Sequence, residues 1–103
     1  MLEPLERMLA KGVDNALLRF GLGKGYLDGG QFAVAAEHLQ RCVAFDPQYS
    51  AAWKLLGKAY LGAGDPAAAR HAWEQGLLAA SGHGDKQAEK EIRVFLRRLD
   101  KLA

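Results

Sequence analysis

The chain has 103 residues, of which half are hydrophobic and a quarter are charged, with a net charge of +2. This length excludes a large multi-domain enzyme, the apolar fraction excludes intrinsic disorder, and the small net charge is no argument for a nucleic-acid partner. No stretch approaches 18 uncharged apolar residues, so no membrane span is expected. The first six residues include two glutamates where a secretory signal would be basic, which predicts a cytoplasmic protein, and the single cysteine excludes an internal disulfide.

Alanine and leucine are the most frequent residue types, and glycine follows them. Abundant Ala and Leu with few β-branched residues favour helices. Apolar residues at helical spacing predict six helices in chain order, over residues 3–11, 16–28, 31–45, 51–62, 66–80 and 86–102.

Local signals mark the ends of these helices. Pro47 forbids continuation of the third, and Ser50 is predicted to cap the fourth. Asp65 followed by Pro66 is a strong helix start, and Asp85 is predicted to cap the last helix. The helices are therefore separated by short turns.

An internal repeat organises the helices. Residues 22–35 align with residues 56–69 at eight identities in fourteen positions. The repeating unit is as long as the distance from residue 22 to residue 56, and a unit of this length consists of a helix, a turn and a second helix. Such a unit cannot bury its apolar face alone, so copies stack. Gly23 and Gly57 recur in the middle of helices, and we expect them to permit close approach of the paired helix, where Ala35 and Ala69 are also small.

The second copy resembles the tetratricopeptide repeat (TPR) signature, with Trp53-x-x-Leu56-Gly57-x-x-Tyr60 and then Ala69-x-x-x-Trp73, where the family usually has Phe. The first copy departs from it with Arg19 at the Trp position. The resemblance implies an all-α fold, a short right-handed superhelical array of antiparallel helix-turn-helix repeats. We predict one domain over residues 1–103, with a partial helix unit at 3–14, repeats at 16–49 and 50–83, and a capping helix at 85–102.

No catalytic or metal-binding pattern is found in the sequence. The run Gly21–Gly25 lacks the spacing of a phosphate-binding loop, and the three histidines are not spaced as ligands on a helix. His38 and His71 are expected at the surface, and Cys42 is expected in the core. We therefore predict no enzyme activity, no metal and no cofactor.

The family resemblance implies a protein–protein interaction module, an adaptor or scaffold that binds a peptide or partner protein in a concave groove lined by the first helices. The predicted groove residues are Leu17, Phe20, Lys24, Leu27, Asp28, Lys54, Lys58 and Leu61. Their lysines would select an acidic partner, although lysines on a helix face are also explained by solvation alone. The carboxylate clamp of some family members is not expected, because this chain holds Phe20 and Leu55 at clamp positions, and Asp85 and Glu89 in its third unit.

The last helix carries a second basic feature, a stripe within an arc of about 80° at 100° per residue. Its members are Lys86, Lys90, Arg93, Arg97 and Lys101. One alternative function is a nucleic-acid accessory protein that uses this stripe. The other explanation is the solvated back of a capping helix. A homo-oligomeric assembly unit, associating through Phe95 and Leu102, is the remaining alternative.

Overall fold

The computed structural model describes residues 2–102, and these residues form six α-helices. The helices are α1 (Glu3–Ala10), α2 (Ala16–Asp28), α3 (Phe32–Phe45), α4 (Ser50–Gly62), α5 (Pro66–Gly82) and α6 (Lys86–Leu102). Every predicted helix is present, with ends within two residues of those predicted. The outer ends of the predicted domain, residues 1 and 103, lie outside the described part of the chain.

The helices form a stack of hairpins. Helices α2 and α3 pair, α4 and α5 pair, and α3 joins the two hairpins by packing on α4. At the ends, α1 packs on α2, and α6 packs on α5 and α4. The first helices α2, α4 and α6 contact one another in that order and form one face of the molecule. The predicted all-α helical-repeat fold is confirmed.

The core is divided between the interfaces of the stack. One cluster lies among α3, α4 and their neighbours around Leu39, Cys42 and Leu56, and the other joins α5 to α6 around Trp73 and Ile92. Cys42 is fully buried, and burial, together with the nearby Asp46 carboxylate, raises the pKa of its thiol to about 11. The predicted core position of Cys42 is confirmed.

The mid-helix glycines allow close approach of the paired helix, as expected. A Cβ on Gly57 would overlap the indole ring of Trp73, and one on Gly23 would lie 2.5 Å from Leu39 Cγ. The paired helix therefore places a large side chain against each glycine, Leu39 against Gly23 and Trp73 against Gly57. Trp73 Nε1 also donates a hydrogen bond to the Lys54 carbonyl oxygen at 3.0 Å, which fixes the ring in this position.

Two of the three predicted caps are present. The carboxylates of Asp65 and Asp85 each accept the backbone N–H three residues later, at 3.1 Å. The predicted cap at Ser50 is wrong, because Ser50 is the buried first residue of α4 and its hydroxyl donates to Asp85 Oδ2 at 2.6 Å. This bond ties the start of α4 to the start of α6.

Arg19, which replaces the signature tryptophan, lies at the centre of a polar network. Its Nε and Nη2 donate to the two oxygens of Asp14 at 2.7 and 2.9 Å, and its Nη1 lies 3.1 Å from His38 Nδ1. Since guanidinium only donates, His38 Nδ1 accepts. The His38 side chain is only 12% exposed and stacks on Tyr26, so the predicted surface position of His38 is wrong. Burial first, and Arg19 second, lower the pKa of His38.

Candidate partner-binding surface

The face formed by α2, α4 and α6 carries the predicted groove residues at different depths. Leu17 is 73% exposed, and Leu61 also reaches solvent. Phe20 and Leu27 are half-buried and pack against the central core, where the Phe20 ring stacks on Tyr49 with centroids 4.9 Å apart. The described contacts therefore leave apolar surface open on this face, at the start of α2 and at the end of α4.

The three predicted groove lysines have different partners. Lys54 Nζ donates to Glu91 Oε1 on α6 at 2.7 Å, and this hydrogen bond lowers the pKa of Glu91. Lys24 is paired with Asp28 on its own helix at 3.0 Å, but both side chains are well exposed, and such pairs contribute little. Lys58 lies over the Phe95 ring of α6, 5.0 Å from its centroid.

The C-terminal part of α6 extends beyond the repeat. The shift along the sequence that carries residue 22 onto residue 56 also carries Gly62, the last residue of α4, onto Leu96. Helix α6 continues past that position to Leu102. The extra turns place Leu99 and Leu102 beside the turn that joins α4 to α5. Leu99 on the same segment is buried, which holds the extension against the hairpin, and Asp100 also pairs with Arg70 of α5.

Two adjoining cavities open around this extension, with volumes of about 390 and 220 Å³. We call them together the α6 cleft. The larger cavity is lined by Leu61, Gly64, Pro66, Ala67, Arg70, Leu99 and Leu102. The smaller cavity is lined by Lys58, Leu61, Trp73, Phe95, Arg98, Leu99 and Leu102. Three leucines therefore line both cavities.

The cleft includes part of the predicted groove and adds residues that the sequence analysis missed. Lys58 and Leu61 were expected on a binding surface, whereas Arg98, Leu99 and Trp73 were not. For Arg98 and Leu99, the signal in the sequence is the length of the last amphipathic helix, which exceeds the repeat. Leu102, named above as a residue for self-association, is 75% exposed at the edge of the cleft.

The basic stripe lies on a different side of α6. All five of its residues are exposed, whereas Ala88, Ile92 and Leu99 on the opposite side are buried. Arg93 pairs with Glu89 at 3.3 Å, and the other four form no ion pair with any residue of the described chain. The stripe spans about 22 Å along the helix at 1.5 Å per residue.

A family model for the tetratricopeptide repeat matches residues 20–85. The chain belongs to the tetratricopeptide repeat family. A TPR repeat-containing protein of Pseudomonas aeruginosa is 74% identical over 101 residues, which cover 98% of this chain and 96% of that protein. A heat-shock cognate co-chaperone of Aspergillus fumigatus is 31% identical over 75 residues, but these cover 73% of this chain and only 22% of that protein.

Solved structures show the same fold. A solution structure of a protein from Bordetella parapertussis has a TM-score of 0.85 and 56% identity, covering 98% of this chain and 88% of that one. The crystal structure of MamA has a TM-score of 0.70 at 21% identity, covering 97% and 65% of the two chains. Tetratricopeptide repeats generally mediate protein–protein interactions and generally act as non-catalytic scaffolds.

The described residues also bear on metal binding and membrane crossing. Among residues 2–102, no three His, Cys, Asp or Glu side chains are grouped so that they could hold a metal ion. None of the six described helices combines the length and the hydropathy that a bilayer crossing requires.

Proposed function

We propose that this protein is a non-enzymatic adaptor that binds a peptide or partner protein along the face formed by α2, α4 and α6. The observation that supports the proposal is the exposed apolar surface on this face beside Lys58, a cation with no ion pair among residues 2–102. Leu17 is 73% exposed, and Leu61 lies one helical turn from Lys58. Isolated exposed leucines are ordinary, but Leu61 next to an unpaired cation, with Leu17 exposed on the same face, forms a surface that an acidic, partly apolar segment complements.

The ion pairs of the face refine which cations would meet the partner. Lys54 already neutralises Glu91, so its replacement would break an internal contact before it tested binding. Lys24 and Lys58 are exposed and are better probes. Because their attraction to an acidic partner acts through solvent, dissolved salt screens it. Binding should therefore weaken as the salt concentration rises above about 0.1 M, where the Debye length is about 10 Å.

The test compares two triple variants with equal changes of charge. The face variant is Leu17→Glu, Lys24→Glu and Lys58→Glu. The control is Leu78→Glu, Lys90→Glu and Arg97→Glu, which places the same changes on α5 and on the basic stripe. Both are first checked for folding by circular dichroism, and each is then used for affinity capture from a lysate of the source cell, with mass spectrometry as the readout.

Proteins retained by the wild type and the control but lost from the face variant would support the proposal. Retention of the same proteins by the face variant would contradict it. Loss from the control alone would move the function to the basic stripe, the alternative of a nucleic-acid or other polyanion partner. Light scattering at two concentrations tests the third possibility, assembly of this chain with itself.

A further inference from the structure

We propose that the α6 cleft is the docking pocket for an apolar side chain of an acidic peptide segment. This inference rests on the proposed function and names the place where the partner is anchored and its chemistry. The cleft exists because α6 runs beyond the end of the repeat, so it is a feature of this chain's last helix rather than of the repeated unit.

The walls of the cleft are mostly apolar, and its volume is large enough to hold a side chain. Leu61, Leu99 and Leu102 line both cavities, and Trp73 and Phe95 add aromatic surface to the smaller one. The larger cavity, at about 390 Å³, lies within the range of about 300–1,000 Å³ that ligand pockets occupy. An apolar side chain that entered it would cover Leu102, which is now 75% exposed.

The rim of the cleft is positive. Lys58 and Arg98 line the smaller cavity, and neither forms an ion pair with another residue of the described chain. The nearby acidic side chains are already engaged, Glu91 by Lys54 and Asp100 by Arg70. Carboxylates on the partner are therefore the groups that complement Lys58 and Arg98.

The same charges argue against a second copy of this chain as the occupant. A symmetric contact through the cleft would bring Lys58 and Arg98 of one copy towards the same residues of the other. Like charges placed opposite each other across an interface disfavour it. An acidic segment that carries a large apolar residue satisfies both the walls and the rim.

The experiment selects binders from a phage-displayed library of random peptides against the intact protein. We expect the selected sequences to combine Asp or Glu with Leu, Phe or Trp. The tightest peptide, made with a fluorescein label, is then titrated with the protein and its variants by fluorescence polarisation. Its counterpart with Asn and Gln in place of Asp and Glu measures the contribution of charge.

Two matched pairs of variants locate the peptide on the surface. Arg98→Glu changes the cleft, whereas Arg97→Glu makes the same change on the basic stripe one residue earlier. Leu102→Asp changes the cleft, whereas Leu78→Asp changes a leucine of similar exposure, 68% against 75%, on α5. All four side chains are exposed, so the fold should tolerate their replacement.

We expect Arg98→Glu and Leu102→Asp each to weaken binding about tenfold or more, and the two controls to change it by less than about twofold. The inference is overturned if no acidic binder is selected, or if the neutral counterpeptide binds as tightly as the acidic peptide. It is also overturned if the control variants lose as much affinity for the peptide as the cleft variants. A cellular partner lost from the Leu17, Lys24 and Lys58 variant but held by Arg98→Glu and Leu102→Asp would refute the cleft and leave the adaptor function standing. A cellular partner retained by the face variant and by both cleft variants would refute both the cleft and the proposed binding face.

Discussion

The close approach of α4 and α5 gives a sharp test of how the repeat packs. Replacement of Gly57 by Ala should improve the intrinsic helix propensity of α4 by about 1 kcal/mol. The new methyl group, however, would overlap the buried indole of Trp73, which would have to move. Overpacking of this kind costs about 1–3 kcal/mol, and loss of the Trp73 hydrogen bond to the Lys54 carbonyl adds about 1 kcal/mol.

The net expectation is that Gly57→Ala lowers the free energy of unfolding by about 1–3 kcal/mol. At about 4–8 °C per kcal/mol for a domain of this size, Tm should fall by roughly 5–20 °C. Urea and thermal unfolding followed by circular dichroism would measure both quantities.

Gly82→Ala is the matched control, because it makes the same substitution in the last turn of α5. There the nearest atom to the added methyl group would be Gln48 Oε1 at 3.6 Å, an ordinary contact. We expect this variant to be as stable as the wild type or more stable by up to about 1 kcal/mol. A Gly57→Ala variant as stable as Gly82→Ala would refute the packing argument.

Three further predictions concern the core and the caps. Trp73→Phe keeps an aromatic ring but removes the bond to the Lys54 carbonyl, so it should cost about 1–2 kcal/mol in urea unfolding, and an unchanged midpoint would contradict the role of that bond. The Cys42 thiol is buried with a pKa of about 11, so it should not react with a disulfide reagent at pH 8 in the folded protein. It should react fully in guanidinium, and rapid labelling of the native protein would show that the core opens. The hydrogen bond from the Ser50 hydroxyl, and then the one from the Ala88 N–H, lower the pKa of Asp85 in the folded protein. The ionised carboxylate therefore stabilises the fold at pH values above its ordinary pKa of 3.8, and this stabilisation is lost as the pH falls through the lower pKa of the folded state. Asp85→Asn should therefore be less stable than the wild type at pH 7, with the difference shrinking towards pH 3, and a difference independent of pH would contradict this assignment.

The repeat explains why the helices could be predicted from sequence. The identities between residues 22–35 and 56–69 place equivalent turns one repeat apart, and Asp65 and Asp85 act as caps through local geometry alone. Such features depend on neighbours in the chain. The fold class followed because stacked helical hairpins are the stable arrangement for a unit of this length.

The features that the sequence analysis missed depend on contacts between distant residues. Ser50 meets Asp85, which is 35 positions away, and Lys54 meets Glu91, which is 37 positions away. Helical periodicity identifies the side of a helix that is buried, but not the partner that a polar side chain finds across the stack. Arg19 is the clearest case, because Asp14 before α2 and His38 on α3 together hold its guanidinium group in place.

The same reason limits what could be predicted of the binding surface. The positions on α4 followed from the family resemblance, and Lys58 and Leu61 do line a cavity. The cleft itself depends on where the end of α6 lies relative to the turn between α4 and α5. That placement is set by tertiary contacts, among them the burial of Leu99 in the cluster that joins α5 to α6.

The most direct test of the proposed surface is a titration of the selected acidic peptide into the ¹⁵N-labelled protein, followed by amide chemical shifts. An 11.2 kDa chain is well suited to this measurement. We predict that the largest shifts fall at the ends of α4 and α6, at Lys58, Leu61, Arg98 and Leu102. Shifts confined to the basic stripe, or to the exposed residues around Phe45 and Leu78, would contradict the account.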